Sequence, residues 1–375
     1  MAGLYLHIPF CRQACNYCDF HFSTSSRHKD AVLTAMLTEL QLQKNFLNGA
    51  IIDTIYFGGG TPSLMSTDTL NIFFDQISTL FSISANAEIT IEANPDDLTA
   101  TYLRTLRHTP VNRLSIGVQS FREEDLMMMN RAHTAAQSLR CIPEAADFGF
   151  ENVSVDLIYG IPFLTMDAWK KNVEQALQFH VNHLSCYCLT VEHRTKLAKQ
   201  VAEGVLPPVD DDAAAAHYEH LLNITEMVGV PWYEISNFAK PGFESKHNTA
   251  YWKGIPYLGI GPSAHSFNGE YRQSNIRSNT AYIQSLGNKK IPFEKEILTQ
   301  EQKFNETILT SLRTRKGITL TQIRTLFGAA ITEKLMEQSQ EVIERGRMEH
   351  VNDHLRLTPG GLLFADAIAA KFFII

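Results

Sequence analysis

The chain has 375 residues, of which 44% are apolar, and a formal net charge of −7. That length accommodates one large domain plus a small one, and the negative balance argues against generic nucleic-acid binding. No run of about 18 apolar residues occurs, so no transmembrane helix is expected, and Met1-Ala-Gly-Leu-Tyr-Leu-His7 lacks the basic and apolar regions of a secretory signal.

Residues 1–230 alternate β-rich apolar runs with helical patterns. Predicted strands are Leu4–Ile8, Ile51–Phe57, Glu88–Glu92, Arg113–Gly117, Asn152–Ile158 and His183–Leu189. Helices are expected over Lys29–Asn48 and over Thr67–Leu80, where Leu70, Phe73, Phe74 and Ile77 recur at helical spacing. Six such units predict an α/β fold, an incomplete (β/α)6 barrel with ligand sites at the carboxyl ends of its strands. Residues 231–298 are rich in Gly, Asn and Ser and read as a mostly irregular linker, with one strand near Pro231–Phe238. Residues 299–375 form a separate small unit. Helices over Glu301–Arg313, Ile318–Phe327 and Thr332–Glu344 precede a hairpin of Met348–Val351 and Leu355–Thr358, and Gly360–Phe372 closes the chain. Helices followed by a hairpin predict a winged-helix-like domain.

The loop after the first strand reads Cys11-Arg-Gln-Ala-Cys15-Asn-Tyr-Cys18. A cubane [4Fe–4S] cluster normally takes four thiolates. Three leave one iron open, as needed to bind S-adenosylmethionine and cut it to a radical. A zinc site would want a fourth ligand, for which His7 and His21 are the nearby candidates. A disulfide framework does not suit a long chain with six cysteines. Reduced cysteines and an oxygen-sensitive cluster point to the cytoplasm. Tyr17 stands where an aromatic ring would pack on adenine.

Further polar residues gather at the predicted strand ends. Gly58-Gly59-Gly60-Thr61-Pro62 follows the second strand, where glycines let backbone approach a ligand. It lacks the Gly-Lys-Ser/Thr ending of a P-loop. Glu92 ends the third strand, Gln119 follows the fourth, Arg131 lies shortly after, and Asp156 sits in the fifth. A carboxylate in an apolar strand needs a partner. Ribose hydroxyls, an ammonium group and Arg131 are the candidates for Glu92 and Asp156; an internal ion pair is the alternative. Cys186 and Cys188 are expected to be buried thiols, and Met127–Met129 to be packing.

These motifs resemble the radical S-adenosylmethionine superfamily, in particular the HemN-like group that holds oxygen-independent coproporphyrinogen III dehydrogenase and a branch of heme chaperones. The resemblance rests on His7-Ile-Pro-Phe-Cys11 with Cys15 and Tyr17-Cys18, Gly58–Ser63, Glu92-Ala-Asn-Pro95, Ser115–Phe121, Asp156-Leu-Ile-Tyr-Gly160 and Gly259-Ile-Gly261. It covers nearly the whole chain. It implies that Cys11, Cys15 and Cys18 ligate a [4Fe–4S] cluster. Tyr5, Gly59, Gly60, Thr61, Glu92, Gln119, Arg131 and Asp156 would contact S-adenosylmethionine, and the loop Gly259–His265 would complete that cradle. Two departures count against the dehydrogenase, which would decarboxylate coproporphyrinogen III by a radical route. Its fourth cysteine is replaced by Phe20, and only ten residues precede Cys11 here. The stretch His247-Asn-Thr-Ala-Tyr251-Trp252 resembles the HNxxYW motif of the chaperone branch. It implies that His247 ligates heme iron while Tyr251 and Trp252 pack on the macrocycle; a hydrogen-bonded core histidine is the alternative. The implied function is delivery of heme to a hemoprotein such as a membrane-bound respiratory enzyme. A peripheral membrane contact and a homodimer are both compatible with that role.

Overall fold

The computed structural model describes residues 1–374. Six parallel strands run β1 (Ala2–Ile8), β2 (Ile52–Gly59), β3 (Ile83–Ala93), β4 (Arg113–Gln119), β5 (Val153–Tyr159) and β6 (His183–Cys188), in that spatial order. All six occupy the positions expected from the sequence. Their period-two alternation sorts the side chains. Leu4, Leu6 and Ile8, like Leu114, Ile116 and Val118, are buried in the apolar core against the flanking helices. Each such aliphatic side chain contributes about 1.5–3 kcal/mol relative to exposure. The alternate residues hydrogen-bond to one another across strands: Tyr56 to Glu92, Ser115 to Asp156, Ser154 to His183. These polar groups therefore share the barrel lumen.

Residues 231–298, expected to be an irregular linker, instead build both flanks of the sheet. The short pair β7 (Trp232–Glu234) and β8 (Asn237–Ala239) continues antiparallel beyond β6. On the other flank β9 (Tyr257–Ile260) lies parallel to β1, a seventh parallel strand. Beyond it, β10 (His265–Phe267), β11 (Tyr271–Asn275) and β12 (Phe293–Ile297) run antiparallel. The sheet thus has twelve strands in the order β12-β11-β10-β9-β1-β2-β3-β4-β5-β6-β8-β7, with two unjoined edges: an open barrel. The buried Glu39 ties this region down. Its carboxylate accepts from the Gly261 N–H at 2.9 Å, from Asn275 Nδ2 at 2.7 Å and from the Tyr282 hydroxyl.

In the C-terminal unit helix Gln300–Leu312 leads to β13 (Ile318–Thr319), helices Leu320–Phe327 and Ala329–Glu344 follow it, and β14 (Met348–Val351) and β15 (His354–Leu357) complete a sheet in the order β13-β15-β14. The last helix, expected to be continuous, is split into Pro359–Leu362 and Ala365–Phe372. Gly360 and Gly361 are poor helix formers, and Gly361 lies so close to the Arg347 carbonyl that no side chain fits. The unit joins the barrel where Ile235 N–H donates to Arg313 O at 2.9 Å and Arg315 N–H to Tyr233 O at 3.0 Å.

Candidate functional site

The cysteine loop follows β1 at the mouth, the carboxyl end of the strands. Cys11, Cys15 and Cys18 are free thiols, each partly exposed. Asn16 fixes the loop by donating through its amide to Met129 O at 3.0 Å and through Nδ2 to Met128 O at 2.6 Å; Asn130 Nδ2 returns a bond to Ala14 O at 2.7 Å. Met129 packs as expected, but Met127 is exposed. Among the described residues no three His, Cys, Asp or Glu groups surround a single-ion position. A cubane asks for less convergence, since each thiolate takes a different iron. His7 is no spare ligand: Nδ1 pairs with the Tyr5 hydroxyl at 3.2 Å and Nε2 with His21 O at 2.9 Å. His21 Nε2 pairs with Asn279 Oδ1 at 2.8 Å. Phe20, where the dehydrogenase has its fourth cysteine, points out with 67% exposure.

The glycine run is welded to the cysteine loop. Gly60 N–H donates to Ile8 O at 2.9 Å and Thr61 N–H to Phe10 O at 2.7 Å. A Cβ on Gly60 would lie 2.7–2.9 Å from three backbone atoms of Ile8 and Phe10. Gly59 has φ +107° and the His7 ring 2.6 Å from where its Cβ would be. Protein contacts alone therefore require these two glycines, before any ligand is considered.

Glu92 is held by neutral donors: the Tyr56 hydroxyl at 2.9 Å and the Gly59 N–H at 3.1 Å. Burial pushes its pKa up to about 7. Asp156 accepts from Ser115 Oγ at 3.2 Å and Ser154 Oγ at 3.3 Å, and burial pushes it up to about 6. Neither pairs with Arg131, one of the three candidate partners read from the sequence. Arg131 instead donates to Asn94 Oδ1 at 2.6 Å, Gly117 O at 2.8 Å, and Cys15 Sγ and the Tyr17 hydroxyl at 3.4 Å, while its buried Nε has no partner. Tyr17 is thus a strut for Arg131. Gln119 sits at φ +65°, an uncommon backbone state for a non-glycine residue, with Nε2 3.0 Å from the Cβ position of Gly117. Gly261, at φ +111°, folds the Gly259–His265 loop over the end of β1, against the His7 carbonyl. Thiols, an orphaned guanidinium nitrogen and two uncharged-partner carboxylates at one mouth suit a cluster with a ligand bearing ammonium, carboxylate and hydroxyl groups.

The HNxxYW residues lie at the opposite end. Helix Lys246–Trp252 is anchored by Glu88, the β3 residue paired with Thr54 near the amino end of β2, which accepts the Lys246 and His247 N–H groups at 3.0 Å each. His247 is 2% exposed. Its Nδ1 pairs with Thr54 Oγ1 at 2.7 Å, its Nε2 with the Tyr251 hydroxyl at 2.9 Å, and its ring stacks on Tyr56 at 4.9 Å. Burial, and then the Arg113 charge, push its pKa down to about 3. Both ring nitrogens are thus hydrogen-bonded within the protein, and the helix packs against β1 and β2 at the barrel floor. Trp252 is half-buried, with the Arg313 guanidinium 5.8 Å from its ring centre. Cys186 is buried as expected, whereas Cys188 is exposed.

Lumen residues not anticipated from the sequence are Glu88, Thr54, Arg113, His183 and Tyr233. Arg113 is 1% exposed, with Nε unpaired. The alternation that marks Ser115 and Asp156 as lumen-facing also marks Arg113, Ser154 and His183.

Residues 5–176 match the Radical SAM superfamily and residues 298–364 the HemN C-terminal domain. The structure of coproporphyrinogen III oxidase (HemN) from Escherichia coli superposes with a TM-score of 0.86, covering 99% of this chain and 90% of that one; at 21% identity this is a likeness of fold. An open parallel barrel with a three-cysteine loop at its mouth and a HemN-type C-terminal unit is that of a radical S-adenosylmethionine protein of the HemN-like group, a membership that implies a [4Fe–4S] cluster and S-adenosylmethionine. Heme chaperone HemW of Mycobacterium tuberculosis is 35% identical over 371 residues, covering 98% of this chain and 93% of the relative. That of Bacillus subtilis is 36% identical over 306 residues, covering 80% and 81%; that of Escherichia coli is 36% identical over 267 residues, covering 70% and 69%. The chain belongs to the HemW family. No helix among the described residues is long and apolar enough to cross a membrane.

Proposed function

We propose that this protein is a heme chaperone that binds heme and passes it to a hemoprotein. The carrying observation is the match to heme chaperones over 98% of the chain. Cys11, Cys15 and Cys18 would hold the [4Fe–4S] cluster, which when bound offers an open iron to S-adenosylmethionine and an electron for its cleavage. The Arg131 guanidinium donates to Cys15 Sγ at 3.4 Å and so helps hold the cysteine loop in place. Glu92 would take the ammonium end of S-adenosylmethionine and Asp156 its ribose hydroxyls, with Tyr5, Gly59, Gly60, Thr61 and Gln119 shaping the cradle. Heme would bind at His247, Tyr251 and Trp252. Because both nitrogens of His247 are occupied, iron binding there requires the floor helix to release the imidazole from Thr54 and Tyr251. The client is a hemoprotein such as a membrane-bound respiratory enzyme, which would draw the chain to the membrane surface.

The test is an anaerobic heme titration of the cluster-reconstituted protein, followed by visible absorbance. Saturation near one heme per chain, weakened in His247→Ala, supports the reading and its site. No saturable binding overturns the reading; binding indifferent to His247 overturns the site.

A further inference from the structure

Two chains of contacts cross the lumen from the mouth carboxylates to the floor helix. In the first, the Tyr56 hydroxyl donates to Glu92 Oε1 at 2.9 Å, and the Tyr56 ring lies on that of His247, 4.9 Å between centres and 23° between planes. In the second, Ser154 Oγ donates to Asp156 Oδ1 at 3.3 Å and pairs with His183 Nδ1 at 2.7 Å. His183 Nε2 pairs with the Tyr233 hydroxyl at 2.9 Å, and that hydroxyl accepts the N–H of Ser245, the cap residue of the floor helix, at 3.3 Å. Ser154 and His183 are fully buried.

A charged Asp156 sets the direction of the second chain. With Ser185 Oγ, 3.1 Å away, donating to it, Ser154 directs its single O–H to Asp156 and accepts from His183 Nδ1–H. A neutral imidazole protonated at Nδ1 accepts at Nε2, so Tyr233 donates to it. Every donor between helix cap and carboxylate points toward Asp156. Tyr56 likewise points its donor at Glu92. Both chains are thus strongest when the carboxylates are charged, because charge-assisted hydrogen bonds are roughly twice as strong as neutral ones, and linked bonds polarise one another.

We propose that Tyr56, together with Ser154, His183 and Tyr233, couples the mouth to the floor: a cationic, hydroxyl-bearing ligand on Glu92 and Asp156 tightens the helix Lys246–Trp252, and its departure loosens it. Combined with the function proposed above, on which this step rests, S-adenosylmethionine at the mouth and heme at His247 oppose one another. Such opposition is reciprocal, and it supplies a chaperone with a release signal.

The experiment uses the full-length, cluster-reconstituted protein under anaerobic conditions, with heme titrations at zero and saturating S-adenosylmethionine. Hydrogen–deuterium exchange of residues 246–252 is followed in parallel. In the wild type, S-adenosylmethionine weakens heme binding about tenfold, within the usual span of coupling between sites, and slows exchange in the helix. In Tyr56→Phe/Tyr233→Phe the rings remain but the donors are lost. The ratio of heme affinities with and without S-adenosylmethionine then falls below about twofold, and the slowing of exchange disappears. Tyr233→Phe alone, the milder variant, gives an intermediate ratio. An unchanged ratio and unchanged protection in the double variant overturn the coupling, as does tighter heme binding on adding S-adenosylmethionine. A purely structural role would shift both heme affinities together and leave their ratio intact. Should the wild type bind no heme, the chaperone reading fails, and the exchange measurement alone decides the coupling.

Discussion

The two ends of this barrel are made from the same strands and finished in opposite ways. At the mouth, polar groups are left with capacity to spare: three partly exposed thiols, an Arg131 Nε without a partner, and a Gln119 held in a left-handed backbone state. At the floor, His247 has both nitrogens paired, and Glu88 caps two N–H groups of the short helix that fills the opening. Unfinished hydrogen bonding and backbone strain persist where something else completes them. The floor is filled rather than open: His247 is fully paired there, although Thr249 Oγ1 and Trp252 Nε1 on the same helix are buried without partners. On the function proposed above, recognition would fall at the mouth and gating at the floor, in a lumen where period-two alternation puts both on one continuous polar surface.

The largest expected effect tests the mouth. Cys15→Ala removes one of three thiolates from the only loop that carries them, and anaerobic reconstitution should lose nearly all cluster absorbance while circular dichroism is retained. A cluster of undiminished intensity would show that the loop is not the ligand set. Next comes Glu39, which ties the Gly261 turn to the sheet. Burial pushes its pKa from 4.5 up to about 7. A raised carboxyl contributes stability fully present below the unfolded pKa, lost as pH rises through the folded one. The advantage of wild type over Glu39→Gln should therefore shrink by about 3 kcal/mol between pH 4.5 and 7, read from denaturant midpoints of both proteins. A flat difference would mean that Glu39 is ionised in the fold. The subtraction matters, because buried His7 and His247, with pKa values pushed down to about 4 and 3, drive the opposite trend.

Much of the mouth was legible in the sequence because it is local. Cysteine spacing, a glycine run and strand-end carboxylates each announce themselves within a few residues, and the six parallel strands do so through their apolar runs. The flanks were not legible. Tyr271–Asn275 and the edge strand Phe293–Ile297 carry mostly polar residues, as partly solvated strands at a sheet's flank do, and β9 is a four-residue strand placed by its pairing to β1 and β10. The pairing at the floor was not legible for a different reason. The partners that satisfy His247 lie far along the chain: Thr54 is 193 residues away and Glu88, which holds its main-chain N–H, 159. A motif shows that a histidine is present; only the fold shows that its lone pair is already in use. The alternation Arg113-x-Ser115 and Ser154-x-Asp156 did carry the lumen lining, but such a pattern does not say which polar residue meets which.

Two smaller effects sharpen the contrast. Gly60→Ala drives a methyl into the backbone of Ile8 and Phe10 at 2.7–2.9 Å. A clash with main chain cannot be relieved by a rotamer, so a loss of about 3 kcal/mol is expected, with poorer cluster loading because the cysteine loop is moved. If stability drops but loading does not, the weld between the two loops is structural only.

Thr54→Val is the gentlest probe and the one aimed at the floor. It keeps the shape of the residue and removes only the hydroxyl that meets His247 Nδ1 at 2.7 Å. The net loss of one such bond is about 1 kcal/mol, more where the imidazole is left unsatisfied. Amide exchange in residues 246–252 should then quicken roughly fivefold, since 1 kcal/mol is close to that factor in an equilibrium constant, while exchange around Cys11–Cys18 stays as it was. The imidazole, freed from one of its two partners, should also become easier to draw onto heme iron. Stability and heme affinity should thus move in opposite directions, which a histidine serving only as packing would not produce. Heme affinity that falls together with stability would mean that the closed floor is itself the binding form, and that no release of the helix precedes the iron.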